Sequence, residues 1–125
     1  MAHIILVALG GALGSVLRYL VGLGTLRSFG PGFPWGTLTV NVTGSFLIGV
    51  LSEVVIRKFG ASPEMRVFLV TGILGGYTTF SAFSLDAVTL FERGETLPAA
   101  LYVGASVILS GLAVVAGLAL MRAMV

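Results

Sequence analysis

The chain has 125 residues, of which 57% are hydrophobic and 10% charged, and its formal net charge is +2. This composition excludes a soluble domain, which carries about 25% charged residues, and the small charge excludes a nucleic-acid-binding protein. The lack of cysteine excludes disulfides, thiolate metal sites and a cysteine nucleophile.

Four apolar segments follow one another in chain order, over residues 4–24, 37–56, 67–88 and 97–121. A transmembrane helix needs about 20 apolar residues, so residues 1–125 are expected to form a single four-helix transmembrane domain. Three short joints rich in glycine, proline, aromatic and charged residues separate the segments. Four spans place the N-terminus, the second joint and the C-terminus on one side of the membrane.

The first segment carries one strong charge, Arg18, within its apolar run. At 1.5 Å per residue from Ile4, Arg18 lies roughly 21 Å into a hydrocarbon core of about 30 Å. Two interpretations are open: the side chain snorkels to the interface, or it attracts anions into a water-filled vestibule. Gly10 and Gly14 are four residues apart, a spacing that favours close helix packing.

The second and fourth segments each carry three polar side chains at steps of four. Such residues stack on one helical face: Thr37, Asn41 and Ser45, and Tyr102, Ser106 and Ser110. Serine and threonine hydroxyls can bond back to their own helix. The Asn41 amide cannot place both hydrogens in its own helix, so its partner is either another helix or a ligand, and a ligand-lining role is favoured.

The third segment contains a polar, helix-weakening run around Gly75, Gly76 and the following hydroxyl residues. Hydrocarbon tolerates such a run only where it is buried in protein or lines a wet cavity, so this helix is predicted to be broken in mid-membrane. The ring edges of Phe80 and Phe83 carry partial positive charge and, beside hydroxyl donors, could replace water around a small anion. The acidic residues Asp86, Glu53 and Glu92 lie toward segment ends and are expected to be solvated or to cap helices.

Loop charges give only a weak preference for one orientation in the membrane. One side holds four basic residues, and the other holds two, or three if Arg18 reaches that surface. A chain with so small a bias can insert both ways, which leads to an antiparallel homodimer as the working hypothesis.

Three motifs together resemble the Fluc (CrcB) family of small fluoride channels. They are residues 10–19 (GGALGSVLRY), 36–46 (GTLTVNVTGSF) and 75–83 (GGYTTFSAF), and the resemblance covers nearly the whole chain. The last two motifs are specific when they occur in this order in a four-span chain. The sequence departs from the usual family pattern at Ser15, Tyr77 and Ala82, where alanine, phenylalanine and threonine are usual.

The resemblance implies a passive fluoride channel, not an enzyme, in a cell membrane such as the bacterial inner membrane. It implies a dual-topology homodimer with two pores and a central sodium ion held by the backbone carbonyls of Gly75 and Thr78. It also implies the pore residues Asn41, Phe80, Phe83, Ser81, Ser106 and Ser110, with Tyr102 on the same fourth-helix face and Thr37 on the face of Asn41. The expected partners are therefore fluoride, sodium, membrane lipid and a second copy, with no nucleic acid.

Two other functions remain as alternatives. A small multidrug-type exporter has the same size and span count but would need a membrane-buried carboxylate in its first helix, and residues 4–24 contain none. A non-transporting membrane scaffold would explain the glycines as packing residues but gives the polar third segment no purpose.

Overall fold

The computed structural model describes residues 1–124 and contains four long helical spans. Helices α1 (Ala2–Phe29) and α2 (Trp35–Lys58) come first, followed by a third span (Pro63–Glu92) and a final helix (Thr96–Met124). Each is long and apolar enough to cross a membrane. The all-helical prediction with four spans is therefore confirmed, and the described residues contain no strand.

The helices extend further than the apolar segments alone predicted. Arg27, Arg57 and Lys58 lie beyond the apolar segments 4–24 and 37–56 but within the last turns of α1 and α2. Pro98 is the third residue of the final helix. Proline is tolerated there because the first-turn N–H groups have no partner within the helix.

The third span is built from four helical pieces rather than one. Helix α3 (Pro63–Arg66) continues into a π-helical segment (Val67–Leu74) and then into the single turn α4 (Gly75–Tyr77). Thr78 and Thr79 are extended, and α5 (Phe80–Glu92) follows them. The predicted interruption of the third helix is thus present, and α6 denotes the final helix, Thr96–Met124.

Glycine contacts hold the spans close together, as the four-residue spacings predicted. Gly10 and Gly14 of α1 are buried against the third span, where a Cβ on Gly14 would overlap the carbonyl oxygen of Ile73. A Cβ on Gly10 would lie 2.9 Å from the Gly72 Cα. Side-chain-free positions therefore allow backbone-to-backbone packing between α1 and the interrupted span.

Side-chain contacts show which chain ends lie together. His3 Nε2 is 3.7 Å from Glu64 Oε1, and Arg122 Nε is 2.9 Å from Glu53 Oε1. One end of the bundle therefore holds the start of α1, the second loop and the end of α6, and it is called here the terminal end. This agrees with the prediction that four spans place these three parts of the chain on one side. The opposite end carries the first and third loops and is called the double-loop end.

The prediction that Glu53 is solvated or caps a helix is wrong. Its residue surface is 6% exposed, and its carboxylate accepts hydrogen bonds from Arg57 and Arg122. Burial of a carboxylate is tolerated because two guanidinium groups neutralise it and occupy its oxygens. Glu92, by contrast, is exposed at the end of α5.

Candidate functional site

Asn41 of α2 binds the interrupted backbone of the third span. The Thr79 N–H donates to Asn41 Oδ1 over 2.8 Å, and Asn41 Nδ2 donates to the Thr79 carbonyl over 2.9 Å. The amide thus pairs with both backbone groups of a residue that lies outside any helix, with φ −153° and ψ 121°. Of the two partners considered for Asn41, the structure shows the contact with another span.

The same hydrogen bonds leave two backbone carbonyls without their usual helical donors. Thr79 N–H binds Asn41 and Ala82 N–H binds Thr79 Oγ1, so neither serves the carbonyl four residues earlier, at Gly75 or Thr78. The neighbouring carbonyls are occupied: Leu74 accepts from Thr78 N and Oγ1, and Gly76 accepts from Arg18 Nε over 3.1 Å. Gly75 is also exposed on the surface of the chain.

Hard cations prefer oxygen ligands, so these two carbonyls are backbone atoms that could hold one. No group of three His, Cys, Asp or Glu side chains suitable for a metal occurs within residues 1–124. A cation at the interruption would therefore depend on backbone oxygens.

A cleft of about 380 Å³, called here the inner cleft, lies between α2, the third span and α6. Its polar and aromatic lining consists of Asn41, Ser45, Thr78, Thr79, Phe80, Phe83, Ser106 and Ser110, and the rest is apolar or glycine. The rings of Phe80 and Phe83 lie 5.6 Å apart at an angle of 50°. All fourteen lining residues are uncharged.

Ser106 and Asn41 are among the residues with unused hydrogen-bond donors in the inner cleft. The hydroxyl of Ser106 is buried and has no hydrogen-bond partner among the residues that the structure describes. Asn41 uses one amide hydrogen for Thr79, and the other bonds to nothing within residues 1–124. A buried donor without a partner costs about 1–3 kcal/mol, so a ligand that accepts hydrogen bonds is favoured here.

A second cavity of about 400 Å³, the vestibule, lies toward the double-loop end. Its charged lining residues are Arg18, Arg93 and Asp86, two positive charges against one negative. Arg18 lines this cavity while its Nε is bonded inside the protein to Gly76. This contact satisfies part of the guanidinium without requiring it to reach the membrane surface.

Thr79 lines both the vestibule and the inner cleft. It was absent from the predicted pore residues, although its position directly before Phe80 in a helix-weakening run was a usable signal. Thr37 lines the vestibule rather than the inner cleft, and is thereby separated from Asn41 and Ser45. The interruption contacts the polar face of α2 at Asn41, so that Thr37 faces one cavity whereas Asn41 and Ser45 face the other.

The remaining predicted pore residues lie at the edges of this arrangement. Tyr102 is fully buried and lines neither cavity, but its ring lies 5.3 Å from that of Phe83. Its hydroxyl donates to Asp86 Oδ2 over 3.1 Å, and Asp86 is half-buried in the middle of α5, where it does not cap the helix. Ser81 is exposed and lies 3.4 Å from Thr79, between their hydroxyl oxygens.

Tyr77, which stands where phenylalanine is usual in the family pattern, forms a hydrogen bond through its hydroxyl group. Its hydroxyl lies 2.8 Å from Thr43 Oγ1, which in turn donates to the Thr39 carbonyl over 2.6 Å. Because the Thr43 hydrogen is used for Thr39, Tyr77 is the donor to Thr43. This bond joins α4 to α2 immediately before the interruption.

Comparison with known proteins gives full-length matches. The sequence profile of a family described as "CrcB-like protein, Camphor Resistance (CrcB)" matches residues 5–118. The chain is 72% identical over 125 residues to "Fluoride-specific ion channel FluC" of Rhizobium meliloti, a match that covers 100% of both chains. It is 64% identical to a protein of the same name from Rhizobium etli, over 100% of both, and 64% identical to one from Agrobacterium fabrum, over 98% of both.

Proposed function

The chain belongs to the CrcB family, and we infer that it is, like the relatives just described, a fluoride-specific ion channel. It is a multi-pass membrane protein with four spans, and a channel of this kind is not an enzyme. The inner cleft is the feature of the structure that supports a location for the ion pathway. It combines unused neutral hydrogen-bond donors with a lining that carries no charged residue. The full-length matches do not support the exporter or the scaffold alternative.

Neutral donors suit the passage of a small anion. Removing water from such an ion costs tens of kcal/mol in a medium of low dielectric constant, so a narrow pore must supply replacement donors. Each donor must also bind weakly enough for the ion to leave. The Ser106 hydroxyl, the free Asn41 N–H and the ring edges of Phe80 and Phe83 meet both requirements better than a buried lysine would, and they support passive flow down the fluoride gradient.

A second copy of the chain is proposed to complete the pore. Phe80 lines the inner cleft but is 78% exposed, and Gly75 of the same cleft is exposed as well. Both residues would be covered if another chain packed on this face. The weak loop-charge bias favours an antiparallel arrangement with two symmetry-related pores.

A sodium ion is proposed at the carbonyls of Gly75 and Thr78. The support is that both oxygens have lost their helical donors at the interruption, and that Gly75 faces outward where a second copy would lie. In such a dimer the cation would hold the interrupted spans of two copies together and neutralise their carbonyl oxygens.

Fluoride efflux from liposomes tests the assignment directly. Purified protein is reconstituted with fluoride, chloride, bromide or nitrate inside, and efflux is followed with ion-selective electrodes or osmotic assays. We expect rapid fluoride efflux and little passage of the other anions. Equal passage of all four, or none, would contradict a fluoride-specific channel.

The pore assignment is tested with Phe80→Ile and Phe83→Ile, which keep an apolar side chain but remove the polarised ring edge. Repacking of this kind costs about 1–3 kcal/mol, so we expect the dimer to persist on a sizing column while fluoride efflux falls by orders of magnitude. Leu85→Ile is the matched control, because Leu85 lines neither cavity. Undiminished efflux, or losses that follow disassembly, would assign the rings to packing alone.

A further inference from the structure

A buried carboxylate at the terminal end holds two arginines from different helices. Glu53 of α2 accepts from Arg57 Nε through Oε2 and from Arg122 Nε through Oε1, both over 2.9 Å. The glutamate side chain is 8% exposed, whereas those of Arg57 and Arg122 are 36% and 58% exposed. The carboxylate therefore fixes two guanidinium groups side by side at the protein surface.

Both guanidinium groups keep most of their donors free. Each has five N–H groups and uses the one on Nε for Glu53, so four remain on the two Nη atoms. No hydrogen bond joins these atoms to another residue in the range 1–124. Two arginines and one glutamate leave a local charge of +1, and Lys58 follows directly at the end of α2.

The distance of the pair along α2 indicates that it lies in the headgroup layer of a membrane. Trp35 begins α2 and is a typical interfacial residue. At 1.5 Å per residue, Glu53 lies about 27 Å from Trp35 and Arg57 about 33 Å, so the first is near the far boundary of a core of about 30 Å and the second beyond it. Exposed apolar side chains flank the arginines in the sequence: Ile56 is 55% exposed, Leu120 45% and Met124 70%.

We propose that Arg57 and Arg122 form a binding site for the phosphate of an anionic phospholipid. Planar guanidinium groups bind phosphate oxygens in pairs, and two of them fixed by one carboxylate are preorganised for a single phosphate. The flanking exposed apolar residues favour a lipid over a soluble phosphate, because they offer contacts to acyl chains. The net positive charge favours a headgroup such as phosphatidylglycerol, whose phosphate charge is not cancelled by an ammonium group. The site does not depend on which ion the channel carries.

Short-chain lipids test this site on the detergent-solubilised full chain. Dihexanoyl phosphatidylglycerol and dihexanoyl phosphatidylcholine are titrated separately, and an apparent Kd is obtained from the shift in thermal unfolding midpoint. We expect the phosphatidylglycerol to bind at least fivefold more tightly. Arg122→Lys keeps a cation for Glu53 but loses the planar pair of Nη donors, and should remove most of this preference.

Arg27→Lys is the matched control, since it makes the same change in the last turn of α1 at the double-loop end. It should leave the lipid preference unchanged. If Arg122→Lys fails to fold, Arg57→Lys provides the same comparison from the other guanidinium. Equal binding of both lipids, an equal loss in Arg27→Lys, or full competition by sodium phosphate at the lipid's own Kd would overturn the proposal.

Discussion

Ser106 is the residue at which a pore role and a packing role predict opposite results. Its hydroxyl is buried in the inner cleft without a partner in the described part of the chain. Ser106→Ala removes an unsatisfied buried donor, so the free energy of unfolding should stay unchanged or rise by up to about 1 kcal/mol. Fluoride efflux should nevertheless fall at least tenfold, because one replacement for water is lost.

Thermal unfolding and liposome efflux, measured on the same preparation, check this prediction. Ser84→Ala is the control, because the Ser84 hydroxyl donates to the Phe80 carbonyl of its own helix and lines neither cavity. A Ser106→Ala variant that conducts at the original rate would show that the hydroxyl does not contact the ion.

Asn41 is expected to affect both folding and transport. Asn41→Ala leaves the N–H and carbonyl of Thr79 without their partners, at a cost of about 1–3 kcal/mol for each group that stays buried. We therefore expect a lower unfolding midpoint together with lost efflux. Ser45→Ala, one turn away in the same cleft, should leave the midpoint within a degree or two. A stable, inactive Asn41→Ala would restrict the residue to ion contact.

At the scale of elements, the contact between α1 and the third span depends on glycine. Gly14→Ala places a Cβ against the backbone of Ile73 and Tyr77. Backbone atoms cannot rotate away as a side chain can, and overpacking of this kind costs about 1–3 kcal/mol. Gly24→Ala in the same helix meets nothing within 4 Å and should be neutral or stabilising, since alanine favours helix. Denaturant unfolding of both variants checks the difference, and equal stabilities would show that this helix contact yields to a methyl group.

The four spans and the position of the interruption were predictable from sequence because both depend on local composition. The apolar runs are long, and the run from Gly75 to Ser84 is too polar and too weak a helix former to remain a plain lipid-facing helix. The π-helical segment was not predictable, because Val67–Leu74 is a mainly apolar run in which only Thr71 and Gly72 interrupt the aliphatic and aromatic residues, and such a pair does not specify a change in helical pitch.

Contacts between spans were predictable in kind but not in partner. The spacing of Asn41 indicated a bond outside its own helix, yet only the relative height of two helices selects Thr79. Glu53 was placed wrongly for the same reason, because its partner Arg122 is 69 residues away. The bond between Asp86 and Tyr102, 16 residues apart, was likewise not predictable. Hydropathy along one segment contains no information on such pairs.

At the scale of the whole molecule, the charges at the two ends bear on orientation. Arg57, Lys58, Arg66 and Arg122 belong to the terminal end, and Arg27 and Arg93 to the double-loop end. Arg18 bonds to Gly76 inside the protein, so the comparison is four against two. This remains a small excess on which to fix a single orientation.

Cysteine labelling checks the proposed dual orientation, because the natural chain contains no cysteine. In Ala123→Cys, at the terminal end, we expect a membrane-impermeant reagent to label part of the population from each side of the membrane. Adding Phe59→Lys should shift the population toward one orientation and lower efflux, whereas Thr96→Lys at the other end should preserve the mixture. Labelling of every Ala123→Cys copy from a single side would rule out the antiparallel dimer.

The interruption at Thr78 and Thr79 also brings two opposite electrostatic poles together. A helix carries roughly half a negative elementary charge at its C-terminal end and half a positive one at its N-terminal end. The helical run from Pro63 ends at Tyr77 and α5 begins at Phe80, so only two residues separate the poles. The interruption therefore places carbonyl oxygens, which suit a cation, close to amide hydrogens, which suit an anion. The inner cleft contains no titratable side chain. Fluoride efflux through it should consequently stay constant when both sides of the membrane are moved together across neutral pH.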